Sequence, residues 1–323
     1  MKGLLKGWEG MCESSGMLRF VDRNLRGIGQ VMFQDNPLSG LLFFIAVGWG
    51  SFAAGVPQVA IGGLVAVLSG TLMAQWLRVE KASINAGLYG FNAYLVGLAL
   101  ATFMAPTPQL WVYVVFGSAV SVVVTLAITN VFKTWNVSAL TAPFVLTAWL
   151  LLLATNLFSG LDGGALPPVG PIVPIDAAAA NPLQVAEFVQ GIFTSITQVF
   201  LKGHGPAALL FLAGLAVNSI PAAVFGLVGA VAAVLTAHAL GAESELVTAG
   251  LLGFNPVLTA IALGAVFYRP SPRVVAYLLI ATVLSVIVQG ALIAALTPFG
   301  IPTLTAAFVL VTWLFLLPGL KFE

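Results

Sequence analysis

Uncharged hydrogen-bonding side chains recur in matched pairs along this chain, and they are the residues that could do chemistry. Thr141 in Ala139-Leu140-Thr141-Ala142-Pro143-Phe144 answers to Thr305 in Thr303-Leu304-Thr305-Ala306-Ala307-Phe308. Gln30 in Gly27-Ile28-Gly29-Gln30-Val31 answers to Gln198 in Ser195-Ile196-Thr197-Gln198-Val199. The segment Gly87-Leu88-Tyr89-Gly90-Phe91-Asn92-Ala93-Tyr94-Leu95 returns 163 residues later as Gly250-Leu251-Leu252-Gly253-Phe254-Asn255-Pro256-Val257-Leu258, pairing Phe91 with Phe254, Asn92 with Asn255 and Leu95 with Leu258. Amides and hydroxyls bind a small neutral polar solute without the cost of burying a charge. Two Phe faces at equivalent places would make a flat slot if the motif helices meet on a two-fold axis. The Leu pair lies one helical turn further along the same face.

Each pair also has a plainer reading. A Gln can satisfy backbone groups at a helix break, and a Thr in a membrane helix often bonds its own preceding turn. Phe and Leu are ordinary core or lipid-facing residues, and the Asn pair serves as readily to hold helix breaks as to touch a solute. Recurrence in both halves is what favours a path.

The remaining polar residues exclude other chemistries. His204 and His238 share no motif, and carboxylates are confined to lead-ins, linker and turns, Asp22, Asp35, Asp162, Asp176, Glu187, Glu243 and Glu245 among them. No span centre carries an ionisable group of the kind a pump or ion-coupled carrier generally needs. A phosphate-binding loop is absent from the sequence, as is a clustered catalytic set, so neither ATP-driven transport nor an enzyme is expected. Lone Cys12 offers no disulfide, and neither cofactor nor metal is implied. A formal net charge of +1, with scattered basic residues, gives no basis for binding nucleic acid.

The elements that must position these pairs are membrane helices. The 323 residues are 60% hydrophobic and 7% charged, with a mean hydropathy of +1.06. Apolar runs between Pro, Gly and charge predict spans at 38–54, 57–77, 86–104, 109–132 and 139–160, then at 205–220, 222–241, 246–268, 273–296 and 302–319. The expected fold is therefore an all-α polytopic membrane protein of ten transmembrane helices in two inverted repeats of five, residues 1–160 and 183–323. The segment 161–182, with Pro167, Pro168, Pro171, Pro174 and Pro182, reads as the linker. An odd span number inverts the second half. With a cytoplasmic N-terminus, 11 of the 12 Lys and Arg residues fall inside, Lys202 being the exception. No signal peptide is expected, because charge follows quickly after Lys6.

An amphipathic lead-in precedes the first span of each half, at 18–34 and at 183–202. Such segments suit re-entrant half-helices lining a wet cavity, or helices lying flat on the membrane. The glycines Gly87, Gly90 and Gly97 against Gly250, Gly253 and Gly264 indicate close helix approach.

The run Gly27-Ile28-Gly29-Gln30-Val31-Met32-Phe33-Gln34-Asp35-Asn36-Pro37-Leu38-Ser39-Gly40, with Gly87-Leu88-Tyr89-Gly90-Phe91-Asn92-Ala93 and Leu140-Thr141-Ala142-Pro143-Phe144, resembles the urea transporter family, most of all its bacterial members. The resemblance implies a homotrimer in the inner membrane with one pore per subunit, passing urea down its gradient. It places the slots on Phe91, Leu95, Phe254 and Leu258, the mid-pore threonines on Thr141 and Thr305, the polar mouths on Gln30 and Gln198, and the mouth walls on Phe33 and Val199. Membrane lipid is the other expected partner. Half two departs from the pattern at Lys202-Gly203-His204-Gly205-Pro206, one residue longer than Gln34-Asp35-Asn36-Pro37. Another small neutral solute, such as ammonia, water, glycerol or a short amide, remains the alternative cargo.

Overall fold

A computed structural model describes residues 2–172 and 179–322; Pro174 and Asp176 of the expected linker lie outside the described residues. The described chain is helical, with no strand. In order, the helices are α1 Lys2–Ser14, α2 Gly16–Gln30, α3 Pro37–Ala53, α4 Pro57–Trp76, α5 Lys81–Asn85, α6 Gly90–Phe103, α7 Pro108–Phe132 and α8 Ala142–Ala154. The series continues as α9 Val185–Thr197, α10 Ala208–Asn218, α11 Ile220–Ala239, α12 Ser244–Thr248, α13 Phe254–Ile261, α14 Pro272–Leu296 and α15 Ala306–Leu316.

Local chemistry sets many of these boundaries. Proline opens α3, α4, α7 and α14, where its missing N–H costs nothing. Ser15, Asn36, Ser219 and Ser271 cap the helices that follow them with side-chain oxygens. Gln184 and Glu187 close a capping box on α9.

Four helical stretches are long and apolar enough to cross a bilayer alone: Pro57–Trp76, Pro108–Trp135, Ile220–Ala239 and Pro272–Phe299. Of the other expected spans, 38–54 keeps its length as Pro37–Ala53, and the rest are shorter than the apolar runs that announced them. The runs 139–160 and 302–319 become helix only over Ala142–Ala154 and Ala306–Leu316. The cause is backbone: Leu140 (φ 52°) and Leu304 (φ 51°) are left-handed and stop the helix from extending backwards. Similarly, α6 and α13 begin only after the Gly87 and Gly250 turns, both at φ 74°. Beyond α13 the helix widens into a π turn over Ala262–Phe267.

Both lead-ins are helical. The first runs from Gly16 to Gln30 and turns at Phe33 (φ 62°); the second runs from Val185 through a 3₁₀ turn to Phe200 and turns at Leu201 (φ 57°). The stretches Val185–Phe200 and Gly205–Asn218 meet at a 75° bend. Helix α1 appears where only a polar stretch was expected. Its glycines weaken it, and Trp8 Nε1, donating to Asp22 Oδ1 at 2.7 Å, ties it to α2.

The halves meet along α3 and α10. Phe43 of α3 lies 5.5 Å from both Phe200 and Phe211, which stack at 4.6 Å. Ser39 Oγ donates to Gly214 O at 2.6 Å beside them. On the opposite surface large apolar side chains stay exposed, Phe52 and Trp76 among them, as expected where lipid rather than water is the solvent.

Candidate functional site

The Thr141 and Thr305 hydroxyl oxygens stand 2.6 Å apart and hydrogen-bond each other. Each sits just before the first helical residue of α8 or α15, so its own helix offers no preceding-turn carbonyl. The hydroxyls therefore find one another across the two halves. Both residues are 3% exposed.

Asn92 and Asn255 set this meeting point. Asn92 donates from Nδ2 to Leu140 O at 3.3 Å and accepts from Phe144 N at 3.2 Å. Asn255 does the same with Leu304 O at 3.2 Å and Phe308 N at 2.9 Å. One side chain thus satisfies the carbonyl of a left-handed residue and a first-turn amide of the next helix. Of the two roles open to the pair, the structure shows the one that holds helix breaks.

The glutamines are anchored equally. Gln30 Nε2 donates to Ala86 O at 3.0 Å, and Gln198 Nε2 donates to Ala249 O at 3.1 Å. Those carbonyls lie in the turns leading to Phe91 and Phe254. With its amide nitrogen engaged, each Gln has its Oε1 free of described protein donors, an acceptor at either end. The Gln198 register follows that of Gln30 despite the extra residue in Lys202–Pro206.

The apolar members divide between the two ends. Phe91 is half-buried and Phe254 is 8% exposed; no ring contact joins them among the described aromatic pairs. Each follows its own Gln-bound turn. Leu95 and Leu258 are buried, at 1% and 0% exposure. Phe33 packs edge-on against Phe267 and Phe308, each at 6.1 Å, and Val199 is buried.

Several contributors were not singled out from sequence. Gln289 of α14 bonds Asn255 Nδ2 through Oε1 at 2.8 Å, and its Nε2 donates to Leu251 O at 3.0 Å and Thr303 Oγ1 at 2.9 Å. A lone Gln inside a 25-residue apolar helix was the available signal. Trp149 Nε1 donates to Pro302 O at 2.8 Å, and Trp313 Nε1 to Ser138 O at 2.9 Å, each indole crossing to the other half's loop. Their signal was the 164-residue spacing shared with the threonines. At the Gln30 end, Arg26 bridges Asp22 at 2.8 Å and Asp35 at 2.7 Å, beside a cavity of about 500 Å³ that reaches Ala86.

Comparison with known proteins supplies the family. The family described as "Urea transporter" matches residues 21–319. Relatives named "Urea transporter 1" are 28% identical in Ovis aries, over 303 residues, and 29% identical in Mus musculus, over 305 residues. In both, the match covers 93% of this chain and 77% of the relative. This is a family of transport proteins rather than enzymes, and the chain belongs to the urea transporter family.

Proposed function

We propose that this protein is a passive urea channel whose path runs from Gln30 and Phe91, past Thr141 and Thr305, to Phe254 and Gln198. The threonine pair carries the reading. Each hydroxyl oxygen has two lone pairs, and the pair spends one donor on itself. A planar solute with N–H groups on two edges can enter by replacing that bond, donating to both oxygens. Urea has that shape, and its shed water is replaced by acceptors at Gln30, the threonines and Gln198. The Phe and Leu walls offer an ion nothing to replace its hydration shell.

In this reading the chain forms ten spans in two inverted repeats with re-entrant α2 and α9, both termini cytoplasmic, in the inner membrane. Three subunits, with lipid around them, each keep their own pore. The pairwise match of left-handed turns, Gln anchors and Asn braces between the halves supports the repeat.

Stopped-flow reswelling of proteoliposomes tests the function, with urea, glycerol and an impermeant osmolyte compared in parallel. Fast reswelling in urea alone is expected. Equal rates in urea and glycerol would assign a general neutral-solute channel, and rates matching empty liposomes would sink both readings.

A further inference from the structure

A cavity of about 390 Å³ is walled by the ends of α3, α4 and α6 and by the 201–204 turn. Among the described residues no carboxylate lines it. Lys202 does, at 4% exposure, and its ammonium has no hydrogen-bond or carboxylate partner among the described residues, where every ion pair involves Arg26. His204 adds a buried Nε2 without a partner, its ring edge-on to Trp49 at 5.1 Å. The Thr102 hydroxyl already donates to Leu98 O at 2.7 Å, so among the described residues Lys202 is the side chain on this wall with donors to offer.

A buried ammonium without a counter-charge is costly, and a cavity with room for an ion and several waters can supply one. The end of α3 and the start of α4 bring opposing dipoles, so the sign of the site is set by Lys202. The first half handles the matching turn differently. There Gln34 accepts from Asn218 Nδ2 at 3.0 Å and Asn36 donates to Asn218 Oδ1 at 3.4 Å, a neutral cluster with its own partners. In half two Lys202 and His204 stand where Gln34 and Asn36 stand in half one.

We propose that this cavity binds a small monovalent inorganic anion, of chloride or bicarbonate size, at the Lys202 ammonium. The site borders the turn that carries Gln198: a side chain added at Gly203 would approach Gln198 Nε2 to 3.7 Å. Binding itself is independent of what the channel conducts.

The full-length protein is melted while sodium chloride, or bicarbonate, replaces sodium gluconate at constant ionic strength. A saturable rise in Tm is expected, lost in Lys202→Met. A flat curve for the native protein, or an unchanged midpoint in Lys202→Met, overturns the proposal. Should that variant fail to fold, crystals of the native protein soaked in bromide give the answer. An anomalous peak within hydrogen-bonding reach of Lys202 Nζ supports the site, and an empty cavity at saturating bromide rejects it.

Discussion

At the scale of single residues, Thr141 and Thr305 make a prediction that separates stability from transport. Thr141→Val strands the buried Thr305 hydroxyl, which should cost about 1–3 kcal/mol and slow urea entry. Adding Thr305→Val removes both partners of the bond with little change in shape. The double variant should recover most of the lost stability, since matched apolar replacement is nearly neutral, while urea flux falls further. Melting curves and reswelling rates read the two effects separately; a double variant that conducts like the native protein would remove the threonines from the path. The Asn braces behave differently. Asn92→Ala leaves Leu140 O and Phe144 N without a side-chain partner and should destabilise by several kcal/mol at about 1–3 per buried group, visible as a lower Tm. These pairs were legible because each recurs at a fixed offset. Gln289 was not, since the matching place in α7 holds Thr125, whose hydroxyl merely returns to Ser121 O at 2.7 Å. A network present in one half leaves no repeat to find.

At the scale of elements, the turns before α6 and α13 decide where the glutamines attach. Gly87 combines a left-handed backbone with contact so close that an added Cβ would stand 2.3 Å from Gly27 N; Gly250 would meet Ser195 N at 2.4 Å. Gly87→Ala should therefore cost more than the roughly 1–2 kcal/mol of a left-handed residue alone, and should impair urea flux by lifting Ala86 O away from Gln30. Gly48→Ala, with nothing within 4 Å, serves as the control and should leave Tm level or raised by about 0.5–1 kcal/mol of stability. Equal losses at both positions would refute the close-approach argument. Sequence located nearly all these elements, since apolar runs and prolines are local signals. It overran α8 and α15 because left-handed Leu140 and Leu304 lie inside apolar runs, their conformation imposed by an asparagine about 50 positions away. It missed α1 for a similar reason, as that helix depends on a contact with Asp22 rather than on its own composition.

At the scale of the whole molecule, the inverted arrangement predicts that equivalent turns emerge on opposite sides of the membrane. With Cys12→Ser as background, Glu80→Cys and Glu243→Cys place one thiol each at the matching starts of α5 and α12. An impermeant maleimide added to intact cells should label Glu243→Cys alone, and permeabilisation should expose Glu80→Cys. Labelling of both from one side would end the inverted reading. The crossed indoles give this architecture a further property. Trp149 holds a loop belonging to the second half, and Trp313 holds a loop belonging to the first. Each half thus lacks part of its own scaffold and borrows it from the other. The halves have already drifted apart at Pro143 and Ala307, at Thr125 and Gln289, and at Gln34 and Lys202. Those differences are all buried, yet the tryptophans are common to both halves, so the clasp by which each completes the other is shared even where the packing around it is not.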